Sequence, residues 1–272
     1  MDWAKAKNIL ILMLLALNLL LASMLVSRLA GGADRDLYAG VTNIMDERGI
    51  SIQCGFPKKI TDSGLLIYGD GARYVETCAK ILYNNGGGAA RIEMPGRESL
   101  RYFNAAPYEN LNAVTAAALD TAVRKVFAEW GIGLSGFITD YTWDTGDGGY
   151  IFDYVYEYDG SLVFDNNISV TVNGEGGISE VTINYREIKS ASSANLMKVI
   201  PAYQVVLKNY YGGGDIITSI NIGFMGQNTV RDNPFVESVE GAVWRVRLDD
   251  GSDRYFEAAY GDEIFLPTQT IE

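Results

Sequence analysis

MDWAKAKNILILMLLALNLLLASMLVSR, residues 1 to 28, is the most apolar stretch of this 272-residue chain. Residues 9–26 carry no charge, and 12 of these 18 residues are Leu, Ile or Val. A helix of that length covers about 27 Å, close to the hydrocarbon thickness of a bilayer. The stretch therefore predicts a short cytoplasmic tail and a transmembrane anchor within residues 1–28, with the bilayer as a binding partner.

A cleaved signal peptide is the alternative interpretation of this stretch. Signal peptides have an apolar core of about 7–15 residues followed by a small-x-small cleavage site. Here the core is longer, Arg28 stands where a cut after Ala30 needs a small residue, and Ala33 lies far from the core. A retained anchor is favoured. Because Lys5 and Lys7 precede it, the N-terminus is expected in the cytoplasm and the chain from about residue 29 outside.

The same residues carry a family resemblance. Met1–Lys7 reads MDWAKAK and runs without a break into an apolar helix with Asn18 in its middle. This resembles the start of YycI proteins, of the YycH/YycI family, over about 26 residues; beyond them the resemblance is one of length and layout. It implies a cell-membrane regulator that binds and restrains a sensor histidine kinase of the WalK (YycG) type, together with a YycH-like protein. It also implies that this regulator serves the WalK/WalR (YycG/YycF) two-component system.

Asn18 is the polar residue within the apolar stretch. A side-chain amide in such surroundings seeks a hydrogen-bonding partner on another helix, although it can also bond to its own helix backbone. The resemblance implies that this helix packs against a helix of the kinase. The predicted partner-binding residues are Asn18, Leu14, Leu17, Leu21 and Leu25.

Composition and charge exclude several classes of function. Apolar residues make up 48% of the chain and charged residues 21%, as in a globular protein with a core. Residues 29–272 hold 19 basic and 33 acidic side chains, a net charge of −14, which disfavours binding to nucleic acid. Histidine is absent, which removes the commonest general base and metal ligand. We therefore predict no catalytic residues, no metal and no cofactor, and a protein that is not an enzyme.

Cys54 and Cys78 are the two cysteines of the chain. In an exported region they could form a disulfide, worth about 3 kcal/mol in the chain-entropy model. Two separate buried thiols are the alternative. Sequence alone does not decide between them, because only the distance between the residues can.

The rest of the chain predicts an α+β fold. The best helix covers 111–130, with a broad apolar stripe, Asn110 as a natural N-cap and Gly131 as the residue that ends it. A second helical region is expected over 192–211, interrupted at Pro201. Between them the dipeptides Asp147-Gly148, Asp159-Gly160 and Asn173-Gly174 indicate hairpin turns of an antiparallel meander.

A weak internal repeat, helix followed by antiparallel strands, predicts two α+β modules at residues 34–131 and 132–272. The pattern Trp244-Arg245-Val246 with Tyr255–Ala258 and Gly261 also resembles the end of a PepSY-type module. We therefore expect two PepSY-like modules, each a curved antiparallel sheet packed on helices. This gives an alternative function, an anchored inhibitor of a cell-surface protease or another cell-wall binding module.

Two acidic turns could be taken for sites of chemistry. Asp144-Thr145-Gly146 has the Asp-Thr-Gly of aspartic proteases but stands alone, whereas those enzymes use two such carboxylates. Asp249, Asp250 and Asp253 could bind Ca²⁺, as could Asp144 and Asp147, but neither group has EF-hand spacing. Both stretches are better explained as hairpin turns.

Overall fold

The structure is a computed structural model. It describes residues 3–27, 33–57, 60, 62–86, 89–107, 111, 115–226 and 238–265. The helices of these residues are α1 (Trp3–Ser27), α2 (Ala33–Glu47), α3 (Ala72–Gly86), α4 (Ala116–Trp130) and α5 (Ala202–Asn209). The strands are β1 (Ser51–Ile52), β2 (Asp62–Tyr68), β3 (Ala90–Gly96), β4 (Ser99–Asn104), β5 (Phe137–Asp144), β6 (Tyr150–Tyr158), β7 (Ser161–Val172), β8 (Ile178–Asn184), β9 (Ile188–Lys198), β10 (Ile216–Phe224), β11 (Ser238–Glu240), β12 (Ala242–Leu248), β13 (Asp253–Glu257) and β14 (Glu263–Ile264). The fold is mixed α+β, as predicted.

The predicted transmembrane helix is wrong. Residues 1–28 do contribute helix α1, but none of the helices in the described part of the chain is long and apolar enough to cross a membrane. Leucine-rich composition predicted the helix correctly. A span requires enough length and enough apolarity together within one helix, and the apolar composition of residues 9–26 does not by itself establish that combination.

The chain divides into two compact units. The first unit comprises Met1–Lys58, Ala202–Ile220 and Val246–Asp253, and the second comprises Lys59–Pro201, Asn221–Arg245 and Arg254–Glu272. The predicted module bounds, residues 34–131 and 132–272, stay a prediction.

In the first unit, helix α2 packs on strand β1 and helix α5. Helix α2 is followed by Gly49 at φ 76°, a left-handed conformation that glycine adopts without strain. The chain then enters β1, which pairs in parallel with the start of β10 (Ser51 opposite Ile216). Arg48 donates from Nη1 to the carbonyls of Leu207 and Tyr210 at 3.0 and 2.9 Å, which satisfies the C-terminal end of α5.

In the second unit, the strand order β5-β6-β7-β8-β4-β3 forms a continuous antiparallel sheet. The end of β10 joins it in parallel with β7, pairing Gly223 with Leu162. A Cβ atom at Gly223 would collide with the Leu162 carbonyl oxygen, so glycine allows this close approach. A separate three-stranded sheet has the order β11-β2-β9.

The sheets are therefore not purely antiparallel, which corrects the predicted fold class. The parallel partners of β10 are β1 and β7, and both lie far from it in sequence. Hairpin signals in a sequence report only antiparallel pairing between neighbouring strands, because a parallel pair needs a long crossover. The meander itself is confirmed: β5 to β8 pair in succession.

The main core of the second unit lies between this sheet and helices α3 and α4. Its fully buried side chains include Leu82 from α3, Phe127 from α4 and Phe152 from β6. Helix α4 begins at the N-cap Thr115, whose side chain accepts a hydrogen bond from the Ala118 N–H, and ends at Gly131 with φ 88°. The predicted end at Gly131 is confirmed, whereas Asn110 lies outside the described residues.

The helix predicted over 192–211 is half wrong. Its first part belongs to strand β9, which pairs with β2 from Asp62 opposite Lys198 to Tyr68 opposite Ile188. Only α5, directly after Pro201, is helical. A Ser- and Ala-rich segment has no strong preference of its own, so pairing with β2 decides its conformation.

Candidate partner-binding site

Helix α1 exposes large apolar side chains on every side. Its described leucines include Leu12, Leu15 and Leu19, which are 73%, 58% and 64% exposed. Residues 11 to 23 are all exposed, more than three helical turns in a row. A helix that is apolar all round is normally buried against something else. Within the described part of the chain, α1 is therefore an apolar surface that another molecule is expected to cover.

Four of the five predicted partner-binding residues lie on this exposed segment. Leu14, Leu17 and Leu21 are 53 to 55% exposed, and Asn18 is exposed between them. Leu25 belongs to α1, but its side chain lies outside the described part of the chain. Their role in binding a partner stays a prediction.

Asn18 and Ser23 differ in how α1 satisfies their polar groups. Ser23 Oγ donates to the carbonyl of Leu20 in the preceding turn at 2.8 Å. The side-chain amide of Asn18 makes no hydrogen bond with another described residue. The amide of Asn18 can therefore offer both a donor and an acceptor to a partner.

The acidic stretch after β5 is a hairpin turn, as predicted. Asp144 accepts a hydrogen bond from the Gly146 N–H at 2.8 Å, and Asp147 accepts from the Gly149 N–H at 3.1 Å and from the Thr145 hydroxyl. These hydrogen bonds, that of Thr145 foremost, lower the pKa of Asp147 below its ordinary value.

The second acidic turn, after β12, is built in the same way. Asp250 accepts from the backbone N–H and hydroxyl of Ser252 at 2.8 and 2.6 Å, which lowers its pKa. Asp253 is bound bidentately by Arg247 at 2.7 and 2.8 Å. No group of three or more Cys, Asp or Glu residues suited to a metal ion occurs among the described residues. In both turns the carboxylates serve the local backbone or a neighbouring strand.

A buried ion pair was missed in the sequence. Arg245, whose side chain is 4% exposed, holds Asp140 through two hydrogen bonds of 2.6 Å and lies over the ring of Phe164 at 4.5 Å. The bidentate geometry matches the guanidinium fork to the carboxylate. Arg245 stands between Trp244 and Val246, and nothing in the sequence indicates that its charged side chain is buried.

Asp165 is a largely buried carboxylate of the second unit, with a side chain that is 14% exposed. It accepts from the Tyr68 hydroxyl at 3.2 Å and the Gly226 N–H at 3.1 Å, and it lies 3.7 Å from Arg186. Burial raises the pKa of Asp165, and these partners only partly offset that rise. Asp165 of β7 thus links the end of β2 to Gly226, which lies two positions after the end of β10.

Cys54 and Cys78 are free thiols, so the disulfide considered from the sequence is not formed. Cys78 lies in α3 within the apolar core beside Val75 and Leu82. Burial raises the pKa of the Cys78 thiol to about 11, which disfavours the reactive thiolate at neutral pH. The structure therefore shows the alternative of two separate thiols.

Comparison with known proteins establishes similarity of fold alone. The chain matches no protein-family model and no curated protein. It is similar to the crystal structure of an uncharacterized protein from Eubacterium rectale, with a TM-score of 0.50 and 11% identity, over 85% of this chain and 99% of that one. It is also similar to the YpeB C-terminal domain of Bacillus megaterium, with a TM-score of 0.38 and 9% identity, over 69% and 94% of the two chains.

The two similar structures differ in what they establish about this chain. At 11% identity the Eubacterium rectale structure shows a shared α+β fold and nothing about activity. A TM-score of 0.38 does not establish even a shared fold. Neither names a YycI protein, so the resemblance carried by Met1–Lys7 stays a prediction.

Proposed function

We propose that this protein is a non-enzymatic regulator that binds and restrains a sensor histidine kinase of the WalK type, acting together with a YycH-like protein. Helix α1 is its main contact surface. The observation that carries the proposal is the exposure of α1, whose leucines at positions 12, 15 and 19 are more than half exposed. The choice of a kinase, of the YycH-like partner and of the cell membrane as the location rests on the resemblance of Met1–Lys7.

Burial of this surface supplies enough free energy for a specific contact. Covering a fully exposed leucine is worth about 1.5–3 kcal/mol. Association costs roughly 4–15 kcal/mol in lost freedom, so several leucines of α1 must be covered together. Asn18 then fixes the register, because its amide must meet a polar group on the partner or remain unsatisfied.

The regulation follows from differential affinity. A kinase that exchanges between two conformations is biased by a ligand only as far as the ligand binds one of them better. If α1 packs against a kinase helix that shifts between the two states, a difference of about 1.4 kcal/mol changes their ratio tenfold. No catalytic residue of the regulator is needed for this effect.

The test is autophosphorylation of a WalK-type kinase from the same organism, with and without the full chain. The wild-type chain is expected to lower the rate. Replacing Leu15 and Leu19 by Asp is expected to abolish the effect, because charge on an apolar contact opposes its burial.

Tyr83→Asp, at a side chain that is 63% exposed on α3, is the matched control and should behave as wild type. An unchanged rate with the wild-type chain overturns the proposal. If the double variant inhibits as well as wild type, α1 is not the contact surface. Inhibition of a co-purified surface protease instead of a kinase favours the alternative function.

A further inference from the structure

The chain contains two Asn-Gly dipeptides, Asn85-Gly86 and Asn173-Gly174, both in the second unit. This dipeptide is chemically reactive, because glycine has no side chain to hinder its main-chain nitrogen, which can attack the side chain of the preceding asparagine. The sequence does not distinguish the two dipeptides. The structure does, because one lies at the end of a helix and the other lies in a turn.

Asn173-Gly174 lies in the turn between β7 and β8. Oδ1 of Asn173 accepts hydrogen bonds from the backbone N–H groups of Glu175 at 3.1 Å and Gly177 at 2.9 Å. The hydrogen bond from Glu175 closes a ring that includes the Gly174 nitrogen, so the side-chain carbon Cγ of Asn173 is held near that nitrogen. Gly174 is exposed, which gives water and hydroxide access to the reacting atoms.

The N–H groups of Glu175 and Gly177 are placed like those of an oxyanion hole. When the Gly174 nitrogen attacks Cγ of Asn173, negative charge develops on Oδ1, and the two N–H groups already donate to that oxygen. Preorganised donors of this kind stabilise a transition state without reorganisation during the reaction. Holding the two reacting groups in one ring also lowers the barrier, because less freedom of motion is lost.

Asn85-Gly86 is held in a different way. It forms the end of α3, where the backbone is helical and its N–H groups donate to carbonyls of the preceding turn. Nδ2 of Asn85 donates to the carbonyl of Ile81 at 2.8 Å, which directs the side chain back along the helix. Gly86 is buried, and a Cβ atom there would lie 2.6 Å from the hydroxyl of Tyr102, so the core fixes its backbone.

We propose that Asn173 is a self-modification site, at which the folded chain converts asparagine to aspartate and isoaspartate without an enzyme. In the first step the Gly174 nitrogen bonds to Cγ of Asn173, its proton passes through solvent to Nδ2, and the Cγ–Nδ2 bond breaks to release ammonia. In the second step a water molecule opens the resulting succinimide ring. Opening at Cγ gives aspartate, and opening at the main-chain carbonyl carbon gives isoaspartate.

The conversion affects two turns of the second unit. Gly174 lies against the turn after β5, since a Cβ atom at Gly174 would lie 2.5 Å from the carbonyl oxygen of Asp147. Either product adds a negative charge beside Glu175. Isoaspartate also adds a methylene group to the backbone, so the spacing that holds Oδ1 of Asn173 against two N–H groups is lost. The inference goes beyond the proposed function and holds whether or not α1 binds a kinase.

The test incubates the folded full chain in mildly alkaline buffer made with isotopically labelled water, and peptide mapping by mass spectrometry follows both asparagines. Asn173 is expected to react at least about tenfold faster than Asn85. It should yield aspartate and isoaspartate, two products of equal mass that each carry a heavy oxygen atom. The chain unfolded in urea is the control: both dipeptides should react there at rates within about threefold of each other, because neither environment persists.

Thermal stability gives a second measurement. Storage of the wild-type chain should lower its thermal midpoint by roughly 2–4 °C, because hydrogen bonds of the turn are lost. Asn173→Ser cannot form the succinimide and should keep its initial midpoint during storage. Asn85→Ser is the matched control, and its midpoint should fall as that of the wild type does.

Equal rates at Asn173 and Asn85 in the folded chain overturn the proposal. So does a slower reaction of Asn173 in the folded chain than in urea, because the turn would then protect this asparagine. Aspartate as the sole product excludes the succinimide step and overturns the proposal as well. An equal fall of the midpoint in stored Asn173→Ser would show that another change in the chain causes the loss of stability.

Discussion

Helices α1 and α4 are both rich in apolar residues. They differ in how far these apolar side chains are buried. Helix α4 buries one face, with Leu119 and Phe127 at 3% and 0% exposure. Its other face carries Asp120 and Arg124, which hydrogen-bond to Thr139 of β5 and so fix the helix to the sheet. Helix α1 has no such division: its described side chains from residue 11 to 23 are all exposed.

The difference shows that α4 serves the fold, and it is the basis of the proposal that α1 binds a partner. Helix α4 has a capped start, a left-handed glycine at its end and a buried stripe, so its local signals and its packing agree. Formation of helix α1 yields little favourable free energy unless another surface covers its apolar side chains. Each of the following experiments tests this contrast.

The largest expected effect is a loss of stability on replacing Arg245, a buried charged residue in the same unit as α4. Arg245→Met should lower the free energy of unfolding by about 3–5 kcal/mol, because it leaves Asp140 without its buried counter-ion. Lys125→Met, which breaks the exposed pair of α4 with Glu129 at 3.7 Å, should cost about 0.5 kcal/mol or less. Chemical denaturation of both variants measures the difference; equal costs would contradict the assignment of Arg245 to the core.

A matched pair of leucines tests the contrast between the helices directly. Leu119→Ala in α4 should lower the free energy of unfolding by about 2–5 kcal/mol, since it removes buried methyl groups and leaves a cavity. Leu19→Ala in α1, at 64% exposure, should change it by no more than about 0.5 kcal/mol. A large loss at Leu19 would show that α1 is packed within the protein, and it would remove the basis for a partner.

Two aspartates of the second unit should titrate in opposite directions from the ordinary value of 3.8. The pKa of Asp165 is raised by burial, so its protonated form favours folding, and its contribution to stability falls as pH rises from about 4 to the folded-state pKa. The pKa of Asp147 is lowered by its hydrogen bonds. Its contribution is therefore complete above pH 4 and is lost as pH falls through the folded-state pKa.

Carboxyl-carbon NMR of the two residues measures both values, with Asp165→Asn and Asp147→Asn used to assign the signals. Asp165 is expected to titrate above 3.8 and Asp147 below it. The same direction of shift for both residues would contradict the burial of Asp165.

The smallest expected effect is a change in binding affinity on replacing Asn18, the polar residue within the apolar stretch of α1. Asn18→Leu should weaken binding to the kinase about 2- to 10-fold, because a hydrogen bond contributes about 0.5–1.5 kcal/mol. Asn18→Gln, which keeps the amide, should recover part of the affinity. Tighter binding of Asn18→Leu would show that α1 is recognised by its apolar surface alone.

Local signals in the sequence were enough to predict much of the fold. The dipeptides Asp147-Gly148 and Asp159-Gly160 marked true turns, and Gly131 marked the end of α4, because turn and cap residues act through their own backbone. The parallel pairing of β10 with β7 and the strand conformation of β9 could not be predicted. They depend on partners far away in sequence, whose pairing overrides weak local preferences.

The same limit applies to the sites. The exposed residues of α1 could be named from the sequence because they are contiguous. The Arg245–Asp140 pair could not be named from the sequence, because its two residues are 105 positions apart in the chain.

Site-specific photo-crosslinking in living cells tests the central claim most directly. A photoreactive amino acid is placed at position 15 or 19 of α1, or at position 83 of α3 as the exposed control, and the crosslinked proteins are identified by mass spectrometry. The account predicts crosslinks to a sensor histidine kinase from positions 15 and 19 and none from position 83. Absence of a kinase from the crosslinks at both α1 positions would contradict it.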